Sequence, residues 1–353
     1  MFHTNMAFKT DFYLFEKLFS SGNSFPSPQN IGHFSVDRNG QTSLDKNQMR
    51  FLKPPSTQRI HFDLNLGFTE ITDEPESKKG NINYIANWIK EDNGRNLAEA
   101  EFRGAFVCRR HMLRTLISTP YENNAGWKMA VIVHESNFYM CEVDFHNQLA
   151  PNADRNIWLK SCFWGLKIEQ YLTSDKSDTN PNPSQPRNLL EEFNVVNKLK
   201  TDRHLIVYNC EMDAFNNKDD TFVEIKTSTR PTDERTTNNY KRFKLQKWWA
   251  QSHLGGVSGV LVGFRDDKGI VTSLEFIPTA SLPKDRRMWT ENGCYHFLNE
   301  FLTWMKSVIG DRVDFCSDNT VHVFEYLPGL KKIDYIKYTD GKYKFLPDWF
   351  LQR

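Results

Sequence analysis

Two apolar stretches separated by a polar turn constrain the fold of this chain more than any other feature. Residues 205–215 and 221–227 are rich in β-branched, aromatic and other apolar residues, which is typical of buried strands. The residues between them, 216–220, read Asn-Asn-Lys-Asp-Asp and are typical of a turn. We therefore predict a β-hairpin within a well-buried sheet.

This predicted hairpin carries an unusual set of charges. Side chains on a strand alternate between its two faces, so Glu211 and Asp213 point the same way, as do Glu224 and Lys226. Buried carboxylates are costly unless they are paired or bind a cation. Three carboxylates and one ammonium favour a hard divalent ion such as Mg²⁺ or Mn²⁺. Cross-strand salt bridges on an ordinary surface hairpin are the alternative interpretation.

The remaining elements are predicted from the spacing of apolar residues. Helical spacing predicts helices over 81–90, 102–117, 158–171, 240–254 and 295–309, the third of them buried. Alternation predicts a hairpin over 127–144, a strand pair over 257–264 and 270–277, and short strands over 321–326 and 333–338. Residues 1–60 and the Asp-, Asn-, Ser- and Pro-rich loop 174–186 are predicted to be irregular.

These elements predict an α/β (α+β) fold in a single domain, with mixed, curved β-sheets flanked by helices. An irregular segment, 1–30, is expected to precede a domain over 31–353. No internal repeat and no linker that would divide two domains is found. Asp213, a gap of ten residues and then Glu224-Ile225-Lys226 resemble the arrangement of the PD-(D/E)xK nucleases, and this resemblance implies a core of that type.

Composition excludes several classes of protein. Lys and Arg number 45 against 44 Asp and Glu, so no global field attracts nucleic acid or a membrane, and a polyanion would have to bind a local basic groove. The six cysteines are scattered without zinc-binding or disulfide-framework spacing, which favours a reducing compartment. The start of the chain and the absence of a long apolar run predict a protein that is neither secreted nor membrane-spanning.

Several separate stretches, in matching order and spacing, resemble the DXO family of RNA decapping and 5′-end quality-control nucleases. The resemblance covers roughly residue 30 to the C-terminus. The stretches are Arg110 with Leu113 and Ser118-Thr119-Pro120-Tyr121-Glu122, Gly165-Leu166-Lys167-Ile168-Glu169, Glu211-Met212-Asp213, Glu224-Ile225-Lys226-Thr227-Ser228, and Lys247-Trp248-Trp249-Ala250-Gln251-Ser252.

The resemblance implies a role for each matched residue. Glu169, Asp213 and Glu224, with the carbonyl of Ile225, would bind one or two Mg²⁺ or Mn²⁺ ions, and Glu211 would do so directly or through a water. A second set would act on the substrate: Lys226 and Gln251 on the scissile phosphate and the attacking water, Arg110 on an RNA phosphate, and Glu192 as a further substrate contact.

The sequence departs from the family pattern at two places. Leu166 and Ile168 stand where the family has Tyr and Phe, and His111 follows Arg110 where the family has Gly. Losing the Tyr hydroxyl and ring predicts different packing near the metal or substrate. His111 adds bulk where the backbone would approach RNA.

The implied function is metal-dependent hydrolysis at RNA 5′ ends. Family members remove incomplete or non-canonical caps, including NAD caps, release pyrophosphate from 5′-triphosphate ends, or degrade RNA 5′→3′. The alternative is an RNA-binding adaptor of the same fold that acts with a partner 5′→3′ exoribonuclease. The intact carboxylates count against it, since an unneeded cluster of like charge is costly to keep. Nucleus and cytoplasm both remain open as compartments.

Overall fold

The computed structural model describes residues 6–9, 25–56, 59–68, 82–91, 100–144, 155–186, 188–282, 288–310 and 320–352, and these residues form two β-sheets with helices between and around them. The strands are β1 (Met6–Lys9), β2 (Gln29–Val36), β3 (Thr42–Ser43), β4 (Phe51–Leu52), β5 (Phe62–Asp63), β6 (Phe106–Arg109), β7 (Trp127–His134), β8 (Asn137–Glu142), β9 (Thr173–Ser174), β10 (Glu192–Lys200), β11 (Leu205–Glu211), β12 (Ala214–Asn216), β13 (Thr221–Ser228), β14 (Gly259–Arg265), β15 (Ile270–Pro278), β16 (Val321–Leu327) and β17 (Lys332–Tyr338).

The helices of the described residues lie between these strands. They are α1 (Asn83–Glu91), α2 (Arg110–Ser118), α3 (Arg155–Leu172), α4 (Glu234–Asn239), α5 (Gln246–Gly255), α6 (Glu291–Ile309) and α7 (Asp348–Leu351), with a π-helical turn, Tyr240–Leu245, joining α4 to α5. Helix α5 ends because Gly256 adopts a left-handed conformation with φ of 66°. Helix α6 begins after Thr290, whose side chain accepts a hydrogen bond from the Gly293 N–H.

Both sheets are mixed. The ten-stranded sheet runs β1-β17-β16-β7-β8-β6-β11-β10-β2-β3, and β6 pairs parallel to both β8 and β11. The seven-stranded sheet runs β5-β15-β14-β13-β12-β4-β9, and β13 pairs parallel to β14, with Glu224 opposite Val260 and Lys226 opposite Val262. Mixed sheets flanked by helices in a single domain confirm the predicted fold class.

Three apolar clusters hold these layers together. The largest lies between the sheets and joins α2, α5 and α6 to inward side chains of both sheets, including Val260 and Val262. A second packs α1 against the outer face of the ten-stranded sheet. The third packs α3, through Trp164 and Ile168, against the outer face of the seven-stranded sheet, where Ile225 lies. Glu224 and Lys226 therefore face the space between the sheets.

The predicted hairpin over 205–227 is partly wrong. Its first stretch is not one strand: β11 belongs to the ten-stranded sheet and β12 to the seven-stranded sheet, so the chain crosses between sheets at Met212 and Asp213. Only β12 and β13 form the hairpin, with Ala214 opposite Val223. Apolar residues continue through the crossing because both sheets are buried, so no polar turn marks it.

Three further predictions need correction. Within residues 1–60, Gln29–Val36 is a strand whose polar residues concealed it, and Phe34 and Val36 are fully buried. The helix predicted over 102–117 begins only at Arg110, because Phe106–Arg109 is a short strand buried between two others. The buried helix predicted over 158–171 is buried only in its C-terminal half, since Trp158 is 45% exposed.

The other predicted elements are confirmed to within a few residues, including the hairpin of β7 and β8 and the loop after β9. The boundary at residue 30 stays a prediction, and most of 1–30 lies outside the described residues. In the part of the chain that the structure describes, no helix is both long and apolar enough to span a bilayer.

Candidate active site

Glu224 lies at the centre of a polar cluster between the sheets. Its carboxylate is 1% exposed and accepts three donors: Gln251 Nε2 at 2.7 Å and Lys226 Nζ at 2.8 Å, both on Oε2, and the guanidinium of Arg110 on Oε1. Lys226 reaches it because residues i and i+2 of a strand share a face. Both carboxylate oxygens are therefore held in a fixed orientation by neighbours from three different elements.

Asp213 lies beside Glu224, where the chain has just crossed between the sheets. Its Oδ2 accepts the backbone N–H of Ile225 at 2.8 Å and Lys226 Nζ at 3.3 Å. Among the described residues, β12 pairs with β13 only as far as Val223, so the β13 edge at Ile225 is open to Asp213. The N–H and C=O of a strand residue face the same edge. The carbonyl of Ile225 therefore faces the side on which Asp213 lies.

Arg110 joins the two sheets at this point. It is the first residue of α2, follows β6 directly and is 8% exposed. Besides Glu224, its guanidinium donates to the backbone carbonyls of Glu211 at 2.9 Å and Gln251 at 3.4 Å. A fork of donors on a planar group suits such a multidentate role. One cation thus contacts β11, β13 and α5 together.

The charges act on one another strongly because the cluster is buried. Burial acts to raise the pKa of Glu224, but the positive charges of Arg110 and Lys226 outweigh it and lower that pKa to about 2. Burial raises the pKa of Asp213 well above its usual range, and the negative charges of Glu224 and Glu169 raise it further. Burial opposes the charge of Lys226, yet Asp213 and Glu224 raise its pKa. Glu224 is therefore ionised, whereas Asp213 lacks sufficient positive charge around it.

The other predicted site residues lie at different distances from this cluster. Glu169, on α3, is near enough for its charge to act on Asp213 and Lys226. Glu211 ends β11 and contributes its backbone carbonyl to Arg110. Glu192 is buried at the start of β10, where its carboxylate accepts the Asn194 amide at 3.0 Å and lies 4.0 Å from the Arg109 guanidinium.

The donor set fits a hard divalent cation. Carboxylate oxygens and a backbone carbonyl are the ligands such ions prefer. The raised pKa of Asp213 shows that this carboxylate would be stabilised by an added positive charge. Within the described residues, no three His, Cys, Asp or Glu side chains already form a metal-binding group. Both oxygens of Glu224 accept donors from Arg110, Lys226 and Gln251.

A basic cavity adjoins the cluster, and the sequence analysis did not assign it. Its volume is about 490 Å³, and its walls are Arg114, Lys226, Phe243, Lys244, Lys247, Trp248 and Gln251. Most of these residues come from the π-helical turn and α5. The signal available in the sequence was the recurrence of basic and aromatic residues between 240 and 248.

The two departures from the family pattern take up defined positions. Ile168 is fully buried and occupies the space beside Gly263, where an added Cβ would lie 2.0 Å from the Ile168 Cδ1. His111 Nε2 donates to Glu142 at 2.8 Å, and its Nδ1 lies 3.0 Å from Arg114. Ile168 is therefore held by packing, and His111 by polar contacts.

The fold and the cluster define the class of protein. Carboxylates on adjoining strands, followed by a Lys two residues after the second, make up the core of a PD-(D/E)XK nuclease. Residues 26–351 match the family model described as RAI1 like PD-(D/E)XK nuclease, and the chain belongs to this family. The predicted resemblance is confirmed. Nucleases of this class work with divalent metal ions.

Relatives and solved structures agree with this assignment. The human decapping and exoribonuclease protein is 30% identical over 345 residues, which span 92% of this chain and 85% of the human protein. The structure of Candida albicans Rai1 in complex with pU5-Mn²⁺ matches with a TM-score of 0.78 at 17% identity, covering 98% of each chain. That of S. pombe Rai1 in complex with 3′-FADP matches with a TM-score of 0.72 at 22% identity, covering 95% of this chain and 100% of the other.

Proposed function

We propose that this protein hydrolyses phosphodiester and phosphoanhydride bonds at the 5′ end of RNA. The observation that carries the proposal is the position of Lys226, whose ammonium lies between the buried carboxylates of Asp213 and Glu224. This places a cation and two metal-binding groups within one small space. Family membership adds the class of chemistry, since relatives are named decapping and exoribonuclease proteins.

We assign metal binding to Glu169, Asp213, Glu224 and the carbonyl of Ile225, with Glu211 direct or through a water. Glu169 and Asp213 contribute the negative charge that the cluster leaves unbalanced. When bound, one or two Mg²⁺ or Mn²⁺ ions would supply an activated water and neutralise charge on the phosphate. Mn²⁺ is present in the Candida albicans Rai1 complex, which supports the choice of these ions.

The protein's own groups bind and orient the substrate. Lys226 Nζ can donate to a phosphate oxygen and stabilise the leaving oxygen, because it projects from β13 into the basic cavity. Gln251 lines the same cavity, and its amide can position the attacking water beside Glu224. Arg110 is suited to hold a phosphate through its planar fork. A substrate contact by Glu192 stays a prediction.

The substrates proposed are RNAs with incomplete or NAD-type caps, 5′-triphosphates or 5′-monophosphates, and the product is RNA with a 5′-monophosphate. Two solved structures support these two kinds of substrate. The Candida albicans Rai1 structure holds the oligonucleotide pU5, and the S. pombe Rai1 structure holds the dinucleotide 3′-FADP. A partner 5′→3′ exoribonuclease stays a prediction, as does location in the nucleus or cytoplasm. The adaptor alternative is disfavoured because the carboxylates and Lys226 are all in place.

The test is hydrolysis of end-labelled single-stranded RNAs that carry a triphosphate, a monophosphate, an unmethylated cap or a dinucleotide cap, with Mg²⁺ or Mn²⁺. Wild type is compared with Asp213→Asn and with Asp219→Asn, the same change in the exposed turn of the same hairpin. We expect wild type and Asp219→Asn to release products and Asp213→Asn to be inactive. A wild-type protein that binds these RNAs and cuts none would instead support the adaptor function.

A further inference from the structure

The basic cavity beside the cluster contains more positive charge than the proposed chemistry uses. Of its four cations, Lys226 pairs with Asp213 and Glu224, and Lys247 pairs with Glu122 at 3.0 Å. The other two, Arg114 and Lys244, form no ion pair with any carboxylate among the described residues. Two cations on the wall of one cavity therefore lack a direct anionic partner among the residues that the structure describes.

Arg114 is held in place by a residue that departs from the family pattern. The Glu142 carboxylate can only accept, so the His111 Nε2 carries the proton and donates to it at 2.8 Å. The Nδ1 of His111 is then the acceptor for an N–H of Arg114 at 3.0 Å. Arg114 thus receives a neutral partner that orients its guanidinium without neutralising it.

Lys244, which also lines the cavity, is held in a similar way. Its ammonium donates to the Ser228 hydroxyl at 2.9 Å, again a neutral acceptor. Burial lowers the pKa of Lys244, and the positive charge of Arg265 lowers it further. Burial and the positive charge of Arg110 likewise lower the pKa of Arg114, and the negative charges of Glu142 and Glu224 offset this only in part. Both cations would be stabilised by an anion in the cavity.

We propose that Arg114 and Lys244 bind a second phosphate group of the RNA 5′ end, next to the phosphate that is hydrolysed. The identity of the ligand rests on the proposed function. Phosphate fits because the cavity combines these two cations with Phe243, a half-buried ring on which an unstacked base can rest. Arg114 and Lys244 would then determine specificity, because they favour ligands that carry a second phosphate over those that carry one.

The spacing of the two subsites agrees with neighbouring phosphates. Arg114 follows Arg110 by one turn of α2, and side chains at i and i+4 are about 5–6 Å apart at Cβ. Ser228, which orients Lys244, follows Lys226 on the same face of β13, about 6–7 Å along the strand. Arg114 and the Ser228 that holds Lys244 therefore each lie one step along their element from a residue that contacts Glu224.

The experiment measures equilibrium binding in EDTA, where hydrolysis does not occur, for wild type, Arg114→Gln and Lys244→Gln. Arg203→Gln is the matched control, since Arg203 is exposed and pairs with Glu300. The probes are GMP, GTP, a 5′-monophosphorylated uridine pentamer and its 5′-triphosphate form. Loss of one charged hydrogen-bonding partner should weaken binding of the triphosphorylated pentamer roughly tenfold, with GMP and the control unchanged.

The salt dependence separates binding of a phosphate from a merely structural effect. Removing one cation that binds a phosphate should reduce the slope of log K against log salt by about 0.7 for single strands. His111→Ala should also weaken binding, because Arg114 loses the partner that orients it. The double variant His111→Ala/Arg114→Gln should bind little more weakly than Arg114→Gln alone, since both changes disrupt the same hydrogen-bonded pair. An unchanged salt slope would overturn the proposal.

The probes also identify the source of the second phosphate. Weaker binding of GTP shows that it comes from the 5′-polyphosphate, and weaker binding of both pentamers with GTP unchanged shows that it is the first internucleotide phosphate; either result supports the subsite. Equal affinities of Arg114→Gln and wild type for every probe would overturn it. Hydrolysis by wild type in the labelled-RNA assay is scored separately, so failure of the proposed function remains distinguishable.

Discussion

The side-chain amide of Gln251 donates a 2.7 Å hydrogen bond to Oε2 of Glu224, across the gap between α5 and β13. Lys226 Nζ reaches the same oxygen at 2.8 Å. The bond therefore fixes the distance between the helix that lines the basic cavity and the strand that carries the carboxylates. A change at Gln251 should accordingly remove a donor from the Glu224 carboxylate.

Replacing Gln251 with Met should lower kcat about 10- to 100-fold, because a hydrogen bond to a charged group contributes roughly 1.5–3 kcal/mol. Met keeps the length of the side chain but cannot donate, so the carboxylate loses one donor while the helix is preserved. The measurement is single-turnover hydrolysis of labelled RNA. Gln170→Met, at the half-buried C-terminal end of α3 where the amide donates to the Gln185 carbonyl, should behave as wild type; a similar loss in both variants would contradict a specific role for Gln251.

Arg110→Met should reduce the free energy of unfolding by about 3 kcal/mol, because removing one partner of a buried ion pair leaves the other charge uncompensated. Urea unfolding measures this. Arg203→Met, which breaks the exposed pair with Glu300, should cost less than about 1 kcal/mol. Adding Glu224→Gln to Arg110→Met should recover part of the loss. Equal effects of the buried and exposed changes would refute the prediction.

Gly263→Ala should destabilise the protein by about 1–3 kcal/mol through overpacking, since the new Cβ would lie 2.0 Å from the Cδ1 of Ile168. Removing that methyl in Gly263→Ala/Ile168→Val should restore part of the stability. The double-mutant cycle compares the unfolding of wild type, Gly263→Ala, Ile168→Val and the double variant by heat or urea. Additive losses would show that the two side chains do not compete for this space.

Stability should fall as pH is lowered from about 6.5 towards 4, because two histidines are buried in the neutral form. Burial and the charge of Lys306 lower the pKa of His204 to about 4, and burial and Lys337 do the same for His322. The unfolded chain then binds more protons than the folded one in this window, so unfolding is favoured on acidification. Urea midpoints at pH 7 and pH 5 should differ less in His204→Asn/His322→Asn than in wild type.

Mn²⁺ should raise the unfolding temperature of wild type and of Asp219→Asn but not of Asp213→Asn. A ligand that binds only the folded state stabilises it by about 2.7 kcal/mol at a hundredfold excess over Kd. Differential scanning fluorimetry with MnCl₂ followed by EDTA measures both the shift and its reversal. A full shift in Asp213→Asn would place the ion elsewhere.

The sequence predicted which side chains lie together better than it predicted the path of the chain. Period-two alternation was enough to place Glu224 and Lys226 on one face, and the motif order grouped Gln251 and Arg110 with them, both of which contact Glu224. The path of the chain was harder to predict. Phe106–Arg109 is a strand buried between two parallel neighbours, so it shows no alternation, and its apolar residues merged with the helix that follows.

The crossing at Met212 escaped prediction for a different reason. Which sheet a strand joins depends on partners far away in sequence, and here β11 pairs with β6 and β10 whereas β12 pairs with β4 and β13. The neutral partner of Lys244 also became visible only in three dimensions, because Ser228 lies on a different element and reaches this cation through the fold. Local pattern carries neither kind of information.

The antiparallel pairing of β1 with β17 affects how the protein is made. Met6 lies opposite Tyr335, so one edge of the ten-stranded sheet joins segments separated by almost the whole chain. Because synthesis proceeds from the N-terminus, Met6–Lys9 leaves the ribosome long before its partner exists. Closing such a distant contact is slow and entropically unfavourable. That edge of the sheet is therefore among the last to form, and the apolar residues it covers stay exposed to chaperones until then.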